Sequence, residues 1–277
     1  ESKRLIGFGR YAGIVGCYNA FLTVGKKLNL YDIEPAYKLD SKALVEAELD
    51  KLKLPNNFKV LITGDGRVAF GALEIIDKIG IRHVTPEEFL NNDFNEPVCT
   101  RLRSKDFYLA KAGEWNTPNF YNNPENYKVD FAKYTKATDL YIACHYWNPN
   151  ADKLISDDDL KANDCRIKVI ADISCDVAGP IASTIRSTTI EAPFYGYDPI
   201  NQKEVDFYNP QSIGVMAVDN LPCELPKDAS QDFGDEFLKY VLPNLIGEDK
   251  DDIIKRATIA ESGKLNSSYL YLSSMLD

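Results

Sequence analysis

The sequence predicts an α/β protein built on a doubly wound parallel sheet of Rossmann-like type, with flanking helices from a second, incomplete domain. The first observation is that short apolar runs alternate with segments of helical periodicity through the middle of the chain. The second is a glycine-rich turn that joins one apolar run, residues 60–63, to a helical pattern. Parallel strands need a crossover connection that is usually a helix, so this alternation is typical of βαβ units.

The first part of the chain is expected to contain two helices before the glycine turn. Residues 5–24 read as a short strand and then a helix whose small residues allow close packing. Residues 41–53 carry apolar residues on one face and Glu and Lys on the other, which indicates an amphipathic helix, and Pro55 ends it. After the turn, apolar side chains from Val68 to Ile79 recur at helical spacing, so a third helix is expected there.

The remaining strands are short apolar runs, and the remaining helices follow turn or capping residues. Strands are expected at residues 81–84, 139–145, 166–174 and 213–218, and helices at residues 87–91, 157–161, 233–245 and 265–272. Residues 92–130 are rich in aromatic residues, Asn and Pro, and are expected to be irregular, with a lid, substrate-binding or packing role. Residues 190–212 are rich in turn residues.

The composition argues against several classes of protein. Apolar residues make up 44% and charged residues 27% of the 277, an ordinary globular balance. The net charge of −10 argues against sequence-independent binding of nucleic acid, which needs a basic surface. No run of about 18 apolar residues is present, so no membrane span is expected, and no secretory signal is visible. The six cysteines are scattered without a CxxC pair, so we expect no metal site, free thiols and a cytoplasmic location.

The start of the chain leads to a further expectation. The sequence begins with Glu1 rather than Met and enters an apolar, glycine-rich segment at once. Natural domains seldom start so abruptly, so we expect an N-terminal part of the protein to be missing from this chain.

The glycine turn is the most informative motif. Gly64-x-Gly66-x-x-Ala69 lies between a predicted strand and a predicted helix, which is the context of a dinucleotide-binding site. The first glycine allows a tight turn, the second lets the backbone approach a pyrophosphate, and the small third residue lets helix and strand pack closely. Free N–H groups at the start of the helix would face the phosphates. The alternative is an ordinary strand-to-helix turn whose glycines serve geometry alone.

Polar residues follow several predicted strands, at the edge where doubly wound sheets bind ligands. They include His145 and Tyr146 after one strand, Asp176 after the next, and Asp219 with Asn220 after the last. Each also has a structural interpretation, because Asp and Asn are common in turns for local reasons. His145 is either an acid–base group or a histidine bonded to the backbone.

The dinucleotide is left open between NAD and NADP. An NAD site often has Asp or Glu about 20 residues beyond the glycines, where it binds the ribose 2′-hydroxyl. Thr85 lies at that position here, and Glu87 or Glu88 would have to bend back to supply an acid. Arg67 in the turn could meet a 2′-phosphate, although a loop arginine is normally solvent-exposed.

Several blocks of sequence resemble saccharopine dehydrogenases and lysine–ketoglutarate reductases, which group with alanine dehydrogenase and the transhydrogenases. The blocks are residues 3–16 (KRLIGFGRYAGIVG), 63–72 (TGDGRVAFGA), 169–176 (VIADISCD), 188–195 (TTIEAPFY) and 218–230 (VDNLPCELPKDAS). The similarity runs over nearly the whole chain. Residues 3–16 resemble the segment that joins the two domains of the family, and residues 63–72 resemble its cofactor loop.

The resemblance implies an oxidoreductase that acts on the C–N bond of a 2-amino acid. In such enzymes lysine and 2-oxoglutarate condense to an imine, which NAD(P)H reduces to saccharopine, or the reverse reaction runs. The cofactor carries the hydride, while the protein positions it and handles protons. Two alternatives are left open: an alanine-dehydrogenase-like relative that uses another amino acid, and a non-catalytic nucleotide-binding module.

The resemblance also implies roles for individual residues. Arg4, as a carboxylate-binding fork, and Phe8 match the substrate-contacting segment, and Asp176 matches an acid near the nicotinamide. Cofactor contacts are implied for Gly64, Gly66, Arg67, Val68, Tyr146, Asp176, Val218, Asp219, Asn220 and Leu221, and Thr85 takes the place of the acid.

Three segments follow from the same resemblance. Residues 1–35 would be an inter-domain strand and helix left from a substrate domain, and residues 36–222 the NAD(P)-binding Rossmann-like domain. Residues 223–277 would be C-terminal helices that pack toward the substrate domain. The family's acid–base lysine and histidine lie in a preceding domain that this chain lacks, so the chain alone is expected to bind cofactor and could be inactive. A homo-oligomer is left open.

Overall fold

A computed structural model describes residues 4–276. Contacts group them into two compact units, residues 9–227 and residues 4–8 with 228–276. The three segments expected from the family resemblance concern domains of a longer protein, so their boundaries stay predictions.

The larger unit begins with a long helix and continues as alternating strands and helices. Its helices are α1 (Gly9–Leu28), α2 (Lys42–Glu48), α3 (Arg67–Ile79), α4 (Pro86–Asn91), α5 (Ser104–Phe107), α6 (Thr117–Asn122), α7 (Ala132–Thr135) and α8 (Asp157–Lys161). Its strands are β1 (Lys59–Thr63), β2 (Arg82–His83), β3 (Val98–Leu102), β4 (Tyr108–Ala110), β5 (Tyr127–Val129), β6 (Leu140–Ala143), β7 (Val169–Asp172), β8 (Phe194–Asp198), β9 (Lys203–Val205) and β10 (Ile213–Met216). Short 3₁₀ turns lie at Ala36–Lys38, Leu49–Lys51, Pro124–Asn126 and Leu221–Glu224.

Among the described residues, eight strands form one sheet in the order β2-β3-β1-β6-β7-β10-β8-β9. The first six run parallel, and β8 and β9 add an antiparallel edge. Strands β4 and β5 pair separately. The predicted class, an α/β fold with a large, mostly parallel sheet flanked by helices, is confirmed.

Both faces of the sheet are covered, which explains why the central strands are apolar on both sides. Helix α1 packs on β6, β7 and β10 and on α3, and most of its length is buried. On the opposite face lies a cluster rich in aromatic side chains, contributed largely by the segment between β3 and β6. Residues 92–130 therefore serve packing, one of the three roles expected of them.

Helices α1 and α3 approach so closely that their backbones touch. A Cβ added to Gly13 would lie 1.9 Å from the carbonyl oxygen of Val68, and one added to Gly71 would lie 2.0 Å from that of Arg10. The Arg10 guanidinium then forms two hydrogen bonds with the Glu74 carboxylate, at 2.6 and 2.8 Å. Glycine is required at both crossing positions because no side chain fits between the two backbones.

The structure differs from the secondary-structure expectations at four places. Residues 5–8, where a strand was expected before α1, take no regular structure. Strand β3 lies within the segment expected to be irregular, and the β8–β9 hairpin lies within the turn-rich residues 190–212. Strand β2 is short and exposed, and it pairs with β3 rather than with β1. Strand pairing is a tertiary property, and it places β3 between β2 and β1, which its mixed sequence, VCTRL, does not indicate.

The smaller unit is mainly helical. Helix α9 (Pro226–Glu236) continues through a π-helical turn (Phe237–Val241) into α10 (Leu242–Ile246), and α11 (Ile253–Ala257), β11 (Ala260–Glu261), β12 (Lys264–Leu265) and a 3₁₀ segment (Ser267–Met275) follow. The helix expected at 233–245 is confirmed. Phe8 stacks on Phe233, with ring centroids 4.6 Å apart, and the N–H of Gly7 donates to Glu236 at 3.3 Å. No helix among residues 4–276 is long and apolar enough to cross a membrane.

The α1–α3 crossing can be tested with Gly13→Ala. The added methyl group overlaps the Val68 carbonyl, so the two helices must separate, and the free energy of unfolding should fall by about 3 kcal/mol or more. Denaturant unfolding followed by circular dichroism measures the change.

Gly234→Ala is the matched control, because Gly234 lies within α9 with open space around the added methyl group. Removing a glycine from a helix interior should leave stability unchanged or raise it by about 0.5–1 kcal/mol. Equal effects of the two substitutions would contradict the close crossing of α1 and α3.

Candidate functional site

The loops that follow β1, β6, β7 and β10 meet at one edge of the sheet. Register fixes this, since Thr63 pairs with Ala143, Ala143 pairs with Asp172, and Ala171 pairs with Met216. Parallel strands end at the same edge, so side chains that are far apart in sequence come close together. The edge carries the glycine turn, Tyr146, Asp176 and residues 218–221, as expected.

The backbone conformation and packing of the turn require its first residue to be glycine. Gly64 has φ +128°, and a Cβ at that position would lie 2.5 Å from the carbonyl oxygen of Cys144 on the neighbouring strand. Its N–H donates to the carbonyl of Leu102 at 2.9 Å, which ties the turn to the end of β3. Ala69, the third small residue, is completely buried between helix and sheet.

Neither backbone conformation nor packing requires glycine at the second position. Gly66 has φ −113° and ψ −171°, values open to any residue, and no heavy atom lies within 4 Å of an added Cβ. It immediately precedes α3, whose first N–H groups lack partners within the helix. The turn therefore leaves open space directly in front of a 13-residue helix.

The acid on the turn is held by an arginine from β3. The Arg101 guanidinium donates to Asp65 Oδ1 at 2.6 Å and to the Gly64 carbonyl at 3.1 Å. It also lies over the Phe70 ring, 5.3 Å from the centroid. The charge of Asp65 is thus balanced locally, which removes an obstacle to an anion in front of the turn.

His145 is a buried structural histidine. Its Nδ1 shares a hydrogen bond with the Thr63 hydroxyl at 2.8 Å, and that hydroxyl lies 2.9 Å from the Tyr141 hydroxyl. Burial lowers the pKa of His145 to about 4, so the ring is neutral at physiological pH. Its Nε2 is buried without a hydrogen-bond partner among the described residues. The structural interpretation of His145 is the one that this geometry supports.

Asp172 is a buried acid that sequence reasoning missed. It ends β7, accepts a hydrogen bond from the N–H of Cys175 at 3.0 Å, and accepts another from the Thr184 hydroxyl at 2.7 Å. Burial raises its pKa to about 6. An acid inside the apolar run 169–173 was the available signal. Asp172 holds the loop that carries Asp176 and is itself out of reach of a ligand in solution.

Asp176 stands exposed at the tip of that loop. Partial desolvation raises its pKa above the ordinary value for an aspartate. The loop is anchored to both neighbouring strands: the Ser174 hydroxyl donates to the His145 carbonyl at 2.8 Å, and the Cys175 thiol donates to the Ala217 carbonyl at 3.1 Å. A carboxyl group on so constrained a loop can hold a fixed position beside a bound molecule.

The other predicted contact residues divide by exposure. Tyr146 has 69% of its surface exposed, and Asp219 and Asn220 are also exposed, so their side chains are free to meet a ligand. Val218 and Leu221 are buried, so they can offer only backbone groups.

Thr85 does not lie beside the glycine turn, which corrects the expectation that it replaces a ribose-binding acid. Its hydroxyl caps α4 by accepting from the N–H of Glu88 at 3.2 Å, and the Glu88 carboxylate accepts from the Thr85 N–H at 2.8 Å. Strand β3 separates β2 from β1, so the end of β2 lies two strands away from the turn. The error came from assuming that the second strand in sequence is the neighbour of the first.

Arg4 and Phe8 belong to the smaller unit. Phe8 takes part in the stack on Phe233. Arg4 lines a cavity of about 620 Å³ whose other walls include Arg256, Tyr269 and Tyr271. Their substrate-binding role stays a prediction.

Comparison with known proteins covers nearly the whole chain. No protein-family model matches. The chain is 29% identical to alpha-aminoadipic semialdehyde synthase of Arabidopsis thaliana, over 99% of this chain and 30% of that protein. It is 25% identical to the mitochondrial alpha-aminoadipic semialdehyde synthase of Bos taurus, over 98% of this chain and 35% of that protein. It is 23% identical to saccharopine dehydrogenase (NAD(+), L-lysine-forming) of Neurospora crassa, over 87% of this chain and 58% of that protein.

Among solved structures, an L-alanine dehydrogenase matches with a TM-score of 0.52 and 14% identity, over 98% of this chain and 64% of that one. This is a likeness of fold. The resemblance drawn from the sequence is confirmed, since proteins named alpha-aminoadipic semialdehyde synthase and saccharopine dehydrogenase are homologues of this chain. The chain spans about a third of the length of the semialdehyde synthases it matches.

The buried carboxyl of Asp172 should give a measurable pH dependence of stability. Its pKa is about 6 in the folded protein against 3.8 as the ordinary value, so its protonation favours folding. This contribution is fully present below about pH 4 and is lost as the pH rises through about 6, a difference of about 3 kcal/mol. The free energy of unfolding of Asp172→Asn minus that of the wild type should therefore be larger at neutral pH than at acid pH.

Urea unfolding of the wild type and of Asp172→Asn across this pH range measures the difference between their free energies of unfolding. The titration of His145 and of other groups that both proteins share cancels in that difference. Asp172→Ala is the control: it leaves the Cys175 N–H without its acceptor and should be destabilised at every pH. A difference between wild type and Asp172→Asn that does not change with pH would contradict a raised pKa.

Proposed function

We propose that this chain is the cofactor-binding part of an NAD(P)-dependent oxidoreductase of the saccharopine dehydrogenase type. The reaction would transfer a hydride between the nicotinamide and the imine or amine carbon that links lysine and 2-oxoglutarate. The observation that carries the proposal is the similarity to alpha-aminoadipic semialdehyde synthases over 98–99% of the chain. The glycine turn at the sheet edge supports it independently.

The turn suits a pyrophosphate on physical grounds. Neither the backbone angles of Gly66 nor its neighbours require a glycine at this position. The open space left by the missing side chain therefore favours a bound ligand. The N–H groups at the start of α3 and the positive end of its dipole face this space and would attract a phosphate. Gly64, Gly66, Arg67 and Val68 would hold the phosphates, with Arg101 neutralising Asp65 behind them.

The loops after β6, β7 and β10 would form the nicotinamide side of the site. A bound nicotinamide would supply the hydride donor or acceptor. Tyr146, Asp219 and Asn220 would position the ring, together with backbone groups of Val218 and Leu221. Asp176 would serve as the acid beside the reacting carbon. Partial desolvation raises the pKa of Asp176, so its carboxyl is more readily protonated than that of an ordinary aspartate.

Arg4 and Phe8 are proposed as substrate contacts on the family resemblance. Arg4 carries a guanidinium that can bind a carboxylate of the amino acid or 2-oxo acid in a two-pronged manner. Phe8 would offer an apolar surface. A small-molecule substrate is in keeping with the names of the relatives, and further substrate contacts and proton-transfer groups would come from parts of a longer protein.

Dinucleotide binding and turnover test the proposal in two steps. Titration of the 277-residue chain with NADH and NADPH, followed by nicotinamide fluorescence or calorimetry, should show saturable binding of at least one. Oxidation of the bound dinucleotide in the presence of lysine and 2-oxoglutarate should then be measured on this chain and on the longest natural polypeptide that contains it. Failure of a folded chain to bind either dinucleotide would overturn the proposal.

The second step separates the alternatives. Turnover with alanine or another amino acid and its 2-oxo acid, and none with lysine and 2-oxoglutarate, would favour the alanine-dehydrogenase-like relative. Binding without turnover on any substrate by either polypeptide would favour a non-catalytic nucleotide-binding module.

Gly66→Leu tests the turn directly. The leucine side chain would fill the space in front of α3, so affinity for the dinucleotide should fall by about tenfold or more. Because Gly66 has ordinary backbone angles and no close neighbours, the unfolding midpoint should stay unchanged. Gly66→Ala should show a smaller loss of affinity. An unchanged dissociation constant for Gly66→Leu would contradict the proposed phosphate position.

A further inference from the structure

Glu224 is a buried acid to which the proposed function gives no role. Only 3% of its surface is exposed, and it ends the 3₁₀ turn Leu221–Glu224, which directly continues the segment 218–221. Within this turn the N–H of Cys223 donates to the Asn220 carbonyl at 3.1 Å, so the connection is short and hydrogen-bonded. A contact that holds Glu224 therefore also holds the residues that are proposed to lie beside the nicotinamide.

Glu224 is bonded to α1 through Asn19. The Asn19 Nδ2 donates to Glu224 Oε1 at 2.6 Å, and both residues are buried. The other end of the same amide, Asn19 Oδ1, is buried without a hydrogen-bond partner among the described residues. Such orphaned atoms are rare, because burial costs them their bonds to water. A proton on Glu224 supplies the missing donor, since a carboxylic acid donates through its O–H while its other oxygen accepts from the amide. The geometry therefore indicates a neutral Glu224.

The surroundings of Glu224 favour the same neutral form. Burial raises the pKa of Glu224 to about 7, and the charge of Glu191 acts in the same direction, against hydrogen bonds from Asn19 and from the Tyr37 backbone. The titratable groups around Glu224 on neighbouring elements are acids and phenols, namely Tyr18 of α1, Glu34, Tyr37, Glu48 and Glu191. Within residues 4–276 no lysine or arginine forms an ion pair with Glu224. The nearby cations Lys38 and Lys51 pair instead with Glu34 and Glu48.

We propose that Glu224 is a positioning residue of the dinucleotide site, and that its neutral form holds the segment 218–221 against α1 through a pair of hydrogen bonds with Asn19. This inference rests on the proposed function. Loss of the proton leaves a buried charge without a cation and leaves Asn19 Oδ1 without a donor, so the turn loses a bond that fixes it. Because the pKa of Glu224 is about 7, the neutral form prevails at pH 6 and is lost as the pH rises through about 7. Affinity for the nicotinamide half of the dinucleotide falls with it.

Calorimetric titrations between about pH 6 and about pH 8.5 test this role without any turnover. The dissociation constant of NADH or NADPH, whichever the chain binds, should rise by about threefold or more over this range, since one linked proton changes affinity by at most about tenfold per pH unit. ADP-ribose, or its 2′-phosphate for NADPH, carries the same pyrophosphate and lacks the nicotinamide. Its dissociation constant should change little, because the segment 218–221 is proposed to contact only the nicotinamide half.

Glu224→Gln removes the titration and keeps the pair, because a glutamine amide can accept from Asn19 Nδ2 and donate to Asn19 Oδ1. At about pH 8.5 this variant should bind the dinucleotide about as tightly as the wild type does at about pH 6, with a dissociation constant that does not change with pH. Glu87→Gln is the matched control, because it removes the same charge from an exposed position of α4, beyond β3. It should keep the pH profile of the wild type. Circular dichroism verifies that each variant is folded.

Three outcomes would overturn the inference: a dissociation constant of the wild type that does not rise with pH, a rise that persists in Glu224→Gln, or an equal rise for ADP-ribose. In each of these cases a dinucleotide still binds, so the proposed function stands and the positioning role of Glu224 fails. If neither dinucleotide binds the folded chain at any pH, the proposed function itself fails, and the positioning role fails with it.

Discussion

The backbone contact between α1 and α3 is the constraint on which the sheet edge depends. Gly13 meets the carbonyl of Val68, which lies in the first turn of α3 directly after the glycine turn. Helix α1 in turn packs across β6, β7 and β10. The same helix therefore fixes the start of α3 relative to the strands whose loops form the rest of the site. A small shift there would move the N–H groups that are proposed to meet the phosphates.

Hydrogen bonds of buried and half-buried polar groups also hold the loops of the site. Asp172, Thr63 and Ser174 each bond to a neighbouring loop or strand end, and none of them is exposed. Their burial is costly unless every partner is present, so it favours one arrangement of the loops over others. The exposed groups, among them Asp176, can then be constrained in position although they stand in water.

The sheet order also decides the electrostatics of the glycine turn. With β3 inserted beside β1, the Arg101 guanidinium contacts the Gly64 carbonyl and Asp65 on the turn, while the capping residues of α4 lie beyond β3. Arg101 thus balances the charge of Asp65 within the protein.

The sequence by itself determined the elements with strong local signals: the strand, turn and helix around Gly64 and Gly66, the buried strands after residue 139, and the edge at which their loops meet. Local backbone angles, hydrophobic periodicity and parallel connection are sufficient for these. Only the tertiary structure decided that β3 pairs with β1, that Thr85 is a helix cap, that His145 is buried, and that Asp172 braces a loop. Each of these depends on which distant segments become neighbours, and burial by distant neighbours cannot be read from a local pattern.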